Sequence, residues 1–222
     1  MVTAVCLVSG GMDSLVALAT ARQETSDTAL LHANYGHLTE SRELKAFADI
    51  ADYYGSSKRL IVDIGYLREI GGSALTDPSI VLPPGQVHRS EIPVSYVPFR
   101  NAHLLAIATS WAEVLGARHI YIGAVEEDSS GYPDCRESFF RAFNRVIGEG
   151  TRPETRIEIV APLLHLSKKQ IVETGTRLKV PFELTWSCYC ASDLACGSCD
   201  SCLLRLKGFS EAGITDPIPY AR

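Results

Sequence analysis

With 222 residues, 46% of them apolar and 21% charged, the chain can bury one ordinary core and is neither polar enough for long disorder nor suited to a coiled coil. Its formal net charge of −5 lacks the basic excess that grips a phosphate backbone, so small-molecule substrates are expected and direct nucleic-acid binding is not. No stretch approaches the ~20 apolar residues that span a bilayer and no basic leader precedes the first apolar segment, so the protein is expected to be cytoplasmic. A homodimer is expected from its prevalence among soluble enzymes.

Residues 3–8 (TAVCLV) form a β-prone apolar run that ends at Ser9-Gly10-Gly11, after which Leu15, Val16, Leu18 and Ala19 recur at helical spacing. A second unit follows, with a strand over residues 28–35 and a helix whose face carries Leu44, Phe47, Ala51 and Tyr54. Residues 60–64 read as a third strand. Residues 71–91 mix Gly, Pro, Ser and Asp without period and read as a long loop suited to a lid. Leu104, Ala108, Trp111 and Leu115 then mark a helix leading into a strand over 119–123. Phe139, Phe140, Phe143 and Ile147 mark another helix, residues 157–160 a short strand, and Ser167 with Gln170 a capping box at the next helix. The alternation predicts an α/β fold with a doubly wound, mainly parallel sheet of Rossmann type, covered on both faces. One domain is expected, residues 1–184 forming the nucleotide-binding part and 185–222 a metal-stapled extension too small for its own core.

The first chemical signal is Ser9-Gly10-Gly11-Met12-Asp13-Ser14 directly after the first strand. Paired glycines let consecutive N–H groups turn toward one anion at a helix N-terminus. The lysine of a GxxxxGK[ST] loop is absent, which points to cleavage between the α and β phosphates of ATP rather than terminal phosphoryl transfer. The turn resembles the SGG-x-DS signature of the PP-loop ATP pyrophosphatases. By that resemblance Val8, Ser9, Gly10, Gly11, Met12, Asp13, Ser14 and Leu15 bind the nucleotide. Asp13 helps to hold Mg2+, and Ser9 and Ser14 donate hydrogen bonds.

Seven cysteines, most of them crowded between Cys188 and Cys202, suit metal ligation better than disulfides in a reduced compartment. Cys196, Cys199 and Cys202 at CxxCxxC spacing, with either Cys188 or Cys190 as the fourth thiol, provide a closed, structural tetrahedral Zn2+ site. A third signal is Gly131-Tyr132-Pro133-Asp134-Cys135-Arg136, which follows the acidic run Glu126-Glu127-Asp128 at the carboxyl edge of the sheet. Tyr132 offers a ring to stack, Asp134 a carboxylate for a guanine-like edge, and Arg136 a partner for a substrate carboxylate. Taken alone, the segment reads equally as a solvated turn. Cys135 suits either a nucleophile or a small buried thiol.

SGGMDS, NYGHLTE, VPFRN, SGYPDCR, and SCY followed by CGSCDSCLLR occur in the order found in the 7-cyano-7-deazaguanine synthases of queuosine biosynthesis, from Val8 to Arg205. The chain resembles that family, an adenine-nucleotide alpha-hydrolase-like group. The resemblance implies ATP-dependent conversion of 7-carboxy-7-deazaguanine and ammonia to the nitrile through an acyl adenylate and an amide. It implies Cys188 as the fourth zinc ligand, and a catalytic set of Asp13, Arg100, Asp134 and Arg136. Two positions depart from the family pattern: His37, where glutamine is usual, and Phe99, a bulky residue expected to narrow the pocket beside Arg100 and Asn101. His37, His32 and Glu126 are candidates to deprotonate ammonium, each with a structural alternative. Rival functions are a tRNA-thiolating or lysidine-forming enzyme, a ligase that stops at the amide, and a deazapurine-binding or protein-modifying relative.

Overall fold

The computed structural model describes residues 3–85, 91–126 and 131–221. Residues 86–90 of the expected lid, and Glu127 and Asp128 of the acidic run, lie outside the described residues.

Among the described residues, five strands make one parallel sheet: β1 (Ala4–Leu7), β2 (Thr28–Asn34), β3 (Arg59–Asp63), β4 (His119–Tyr121) and β5 (Glu158–Val160), in the order β3-β2-β1-β4-β5. Val5 at the centre pairs with Ala29 on one side and Ile120 on the other. Successive side chains of a strand face opposite sides, and β1 divides accordingly. Ala4 and Cys6 join an apolar cluster with Leu15, Leu18, Phe47 and Ile171, whereas Val5 and Leu7 join a second with Leu105, Ala108 and Ile147. The first cluster is built with helices α1 (Met12–Glu24), α2 (Glu40–Tyr53) and α6 (Lys168–Arg177). The second is built with α4 (Arg100–Leu115) and α5 (Glu137–Gly150). Both faces are therefore covered, as the unbroken apolar run of β1 requires.

The capping box expected at Ser167 is present: its hydroxyl accepts the Gln170 N–H while the Gln170 side chain accepts the Ser167 N–H. A short helix α3 (Tyr66–Ile70) and a C-terminal helix α7 (Asp200–Glu211) were not legible as periodic runs. α7 starts inside the cysteine motif, and its Phe209 enters the same cluster as Leu15 and Ile171. The cysteine-bearing segment is thus continuous with the main core.

The stretch 71–85 has no helix or strand, in keeping with a loop, but it is not a free flap. Leu75 packs with Tyr35, Leu67 and Val97, and the Gly85 N–H is bonded to the Ser198 carbonyl.

Candidate active site

In a sheet of this order the crevice opens beyond the carboxyl ends of β1 and β4, where successive crossovers depart in opposite directions. A cavity of about 280 Å³ lies there, lined from β1 by Leu7 and Val8, from the following turn by Ser9 and Gly11, and from α1 by Met12, Asp13 and Ser14. Gly123, just past β4, also lines it. A Cβ at Gly123 would stand 2.7 Å from the Asp13 carbonyl carbon and the Ser14 nitrogen, so glycine lets the end of β4 approach the first turn of α1.

The glycine turn has the local geometry expected of it. Gly10 has φ +92°, and a Cβ there would meet the Glu43 carbonyl oxygen at 2.6 Å. Ser9 Oγ accepts the Gly11 N–H and donates to Ser14 Oγ, which in turn donates to the Gly11 carbonyl. First-turn N–H groups have no partner within their own helix, which makes this end of α1 attractive to an anion. Asp13 points into the cavity with one oxygen, Oδ2, accepting from Lys168 Nζ at 2.7 Å. Its other oxygen, Oδ1, is buried without a hydrogen-bond partner among the described residues. Lys168 was missed in the sequence, where it reads only as the first residue after the Ser167 cap.

At the other end of the cavity, Arg100 donates to the Tyr35 hydroxyl at 3.1 Å and lies over that ring, 5.2 Å from its centroid. Tyr132 and Tyr189 complete this wall. Burial holds the Tyr189 hydroxyl well above its ordinary pKa, so it is a neutral donor and acceptor.

The Gly131–Arg136 segment divides. Tyr132 and Cys135 line the cavity; Asp134 and Arg136 do not. Asp134 is 3% exposed, and its Oδ2 accepts the Asn101 N–H while its carbonyl accepts from Asn101 Nδ2. It therefore caps the start of α4, next to Arg100, whose own N-cap residue Phe99 supplies no side-chain bond. Burial, chiefly, raises the Asp134 carboxyl pKa. Arg136 is exposed at the start of α5. The Cys135 thiol, with Asn101 Nδ2 at 3.3 Å, is pushed up to about 11 by burial and then by Asp134.

Phe99 corrects an expectation. It is 57% exposed and stands outside the cavity, edge-on to Phe139 and His103, so it does not narrow the pocket. It has φ +59°, a left-handed conformation rare for a bulky residue. His32 Nδ1 lies 2.9 Å from the Val8 carbonyl, and Nε2 lies 3.1 Å from Asn34 Oδ1. Burial, foremost, lowers its pKa. A neutral ring that donates from Nδ1 accepts at Nε2, so the Asn34 amide must turn its NH2 toward it. Glu126 accepts the Glu137 N–H.

The sulfurs of Cys188, Cys196, Cys199 and Cys202 all lie within 4.8 Å of one another. A tetrahedral ion with metal–sulfur bonds of ~2.3 Å separates its ligands by ~3.8 Å, and Cys196 and Cys202 stand 3.9 Å apart. Backbone N–H groups of Cys190 and Cys196 point at Cys188 Sγ, and those of Ser198 and Cys199 at Cys196 Sγ, favouring thiolates. Cys190 is exposed and is not part of the cluster. The chain that enters the cluster touches the glycine turn, because the Trp186 N–H donates to the Gly10 carbonyl at 2.9 Å.

The model of the queuosine biosynthesis protein QueC family matches residues 3–213. The chain belongs to that family. It is 57% identical over 98% of its length to a protein of Chlorobaculum parvum named 7-cyano-7-deazaguanine synthase, covering 96% of that protein. A protein of the same name from Chlorobaculum tepidum is 56% identical over the same shares. Among solved structures, a 4-thiouridine synthetase in complex with RNA and ATP superposes with a TM-score of 0.50 at 20% identity, over 79% of this chain and 40% of that one. At that identity the likeness shows the fold alone.

The structure adds cavity residues that were not among the expected site residues: Glu43, Lys168, Trp186 and Tyr189. Glu43 and Trp186 belong to no motif quoted above, and Tyr189 occurs only within the SCY motif beside the cysteines. Their shared signal was proximity to motif residues, which becomes proximity to one cavity only when the C-terminal segment folds back over β1.

Proposed function

We propose that this chain is a 7-cyano-7-deazaguanine synthase, joining ammonia to 7-carboxy-7-deazaguanine at the expense of ATP and dehydrating the amide to the nitrile. The observation that carries the reading is that one cavity holds both an anion-binding glycine turn and, beyond it, the Arg100–Tyr35 pair with two further tyrosines. The identity to proteins of that name supports it.

A carboxylate repels ammonia and has no usable leaving group. In this reading the α1 N-terminus, with Ser9 and Ser14, binds the triphosphate, and Lys168 offsets charge that develops on departing pyrophosphate. Asp13 Oδ1 is the atom suited to hold Mg2+, which neutralises triphosphate charge when bound. Arg100 pairs with the substrate carboxylate, and Tyr132 or Tyr189 stacks on the deazapurine. The carboxylate oxygen attacks the α phosphorus and pyrophosphate leaves. Ammonia then attacks the acyl carbon and AMP leaves. The amide oxygen is adenylated by a second ATP, and loss of AMP gives the nitrile. Asp134 acts by holding α4 and so Arg100 in place. For Arg136, exposed beyond the cavity, the same reading leaves no contact with the reacting atoms.

The four-cysteine cluster suits Zn2+ in a structural part, since four sulfurs leave no position for water. The net charge of −5 supports work on free small molecules without direct nucleic-acid binding. A cytoplasmic homodimer is part of the same reading, testable by fractionation and sedimentation.

Purified protein incubated with ATP, magnesium, ammonium and 7-carboxy-7-deazaguanine is expected to yield AMP and the cyano compound by mass spectrometry. Accumulation of the amide alone would favour a ligase that stops halfway, and absence of turnover would remove the enzymatic reading.

A further inference from the structure

The proposed reaction consumes ammonia, which at neutral pH arrives mostly as ammonium, a cation with no free electron pair. A site for it needs an acceptor of positive charge and a route for one proton. Among the described residues, two carboxylates line the cavity, Asp13 and Glu43. Asp13 is already paired with Lys168. Among the described residues, Glu43 has no lysine or arginine within ion-pair distance; its basic neighbour is His37, with Nε2 3.1 Å from Glu43 Oε2.

Resting on the reaction proposed above, we propose that Glu43 binds ammonium in this cavity and, with His37 behind it, takes the proton that frees ammonia for attack.

The local fold holds Glu43 in place. Thr39 Oγ1 donates to Glu43 Oε1 at 3.2 Å, and the Glu40 carboxylate accepts the Gly36 N–H at 2.7 Å, which fixes the loop entering α2. The Glu43 carbonyl packs so close to Gly10 that a Cβ would not fit between them, so this residue stands beside the phosphate turn. His37 is 7% exposed, its ring stacked on Tyr35 with centroids 4.0 Å apart. Neither of its ring nitrogens has an aligned hydrogen-bond partner among the described residues, despite the short distance to Glu43. A buried imidazole left in this state is costly, and a turn of the Glu43 carboxylate that brings Oε2 into line with Nε2 gives it a partner and a path for the proton. Tyr35 also carries the hydrogen bond from Arg100 at its hydroxyl, so the ammonium and carboxylate sites meet on one side chain.

The step balances without another reagent. An N–H bond of ammonium breaks, its electron pair stays on nitrogen, and the proton passes to the Glu43 carboxylate and on to His37 Nε2. The nitrogen pair then forms the C–N bond while the C–O bond to AMP breaks, and the acylammonium so formed gives its extra proton to the phosphate of the departing AMP. The same geometry allows Glu43 to bind N–H groups of a guanine-like edge instead, which the test separates.

The experiment compares wild type, Glu43→Gln and His37→Gln in three assays. Pyrophosphate exchange into ATP, dependent on the carboxylated deazapurine and run without ammonium, reads the activation step. Hydroxylamine, uncharged at neutral pH, traps the activated acyl group without needing the base. Steady-state turnover against ammonium concentration reads the proposed site. Glu43→Gln is expected to keep exchange and trapping while ammonium-dependent kcat/KM falls on the order of a hundredfold, and His37→Gln to lose about tenfold in that assay alone. Unchanged ammonium dependence in both variants overturns the proposal. So does a raised KM for the deazapurine with ammonium dependence intact, which reassigns Glu43 to substrate recognition. Absence of exchange in the wild type overturns the reaction reading itself.

Discussion

Lys168 Nζ stands 2.7 Å from one oxygen of Asp13, and the other oxygen of that carboxylate is buried without a hydrogen-bond partner among the described residues. In the proposed reaction the lysine steers the carboxylate and leaves Oδ1 to hold a cation at the phosphates. Lys168→Met is expected to lower kcat/KM for ATP by about 10²–10³-fold, the range for loss of one charge-stabilising donor. Asp13→Asn should abolish the response of activity to magnesium concentration. Magnesium titrations of both variants, with circular dichroism to confirm the fold, check this.

Arg205 is 1% exposed and makes paired bonds to Asp216 at 2.7 and 2.8 Å, with further bonds to Thr185, Ser187 and the Phe182 carbonyl. It ties α7 to the tail and to the chain entering the cysteine cluster. Arg205→Ala strands a buried carboxylate and is expected to cost about 3–5 kcal/mol. The double change Arg205→Met with Asp216→Leu should cost less, because no charge is left unpaired. Urea unfolding midpoints of the two variants decide it.

Metal removal should reach the nucleotide site. Trp186 connects the cysteine segment to Gly10 through the backbone, so a chelator is expected to lower Tm and to weaken ATP binding together. Cys188→Ser should lose the metal, whereas Cys190→Ser should retain one ion per chain by elemental analysis, since Cys190 stands outside the cluster.

The Cys135 thiol has its pKa raised from 9.0 to about 11, and that of Cys6 from 9.0 to about 12, each mainly by burial. At neutral pH Cys135 is protonated and a poor nucleophile. Cys135→Ala is therefore expected to retain nitrile formation within a few-fold, and no acyl-enzyme adduct should appear by intact mass. The sign for stability follows from proton counts: above pH 9 the unfolded chain releases these protons while the folded chain keeps them, so stability falls as pH rises from about 9 through 11. Thermal melts across that window check it.

Much of the fold was legible because its strands and most helices obey simple periods. The apolar run of β1, the spacing of Leu104, Ala108 and Trp111, and the Ser167–Gln170 box each carry their own local reason. α7 was hidden because its first turn is also metal motif, and its buried face is made by Asp200, Cys202, Arg205, Gly208 and Phe209, which do not read as an apolar stripe. Phe99 misled in the other direction: size and neighbourhood to Arg100 suggested a pocket wall, but its left-handed backbone turns the ring outward to Phe139.

Local spacing by itself determined that a glycine turn would follow the first strand, that CxxCxxC would gather sulfurs, and that the sheet would be parallel, since each depends on residues close in the chain. Tertiary structure alone decided which side chains share the cavity. Lys168 reaches Asp13 across 155 positions, Glu43 is set beside Gly10, and Cys188 rather than Cys190 closes the sulfur cluster. Those pairings come from how helices cross the sheet and how the C-terminal segment returns over it, and no periodicity within one segment encodes them.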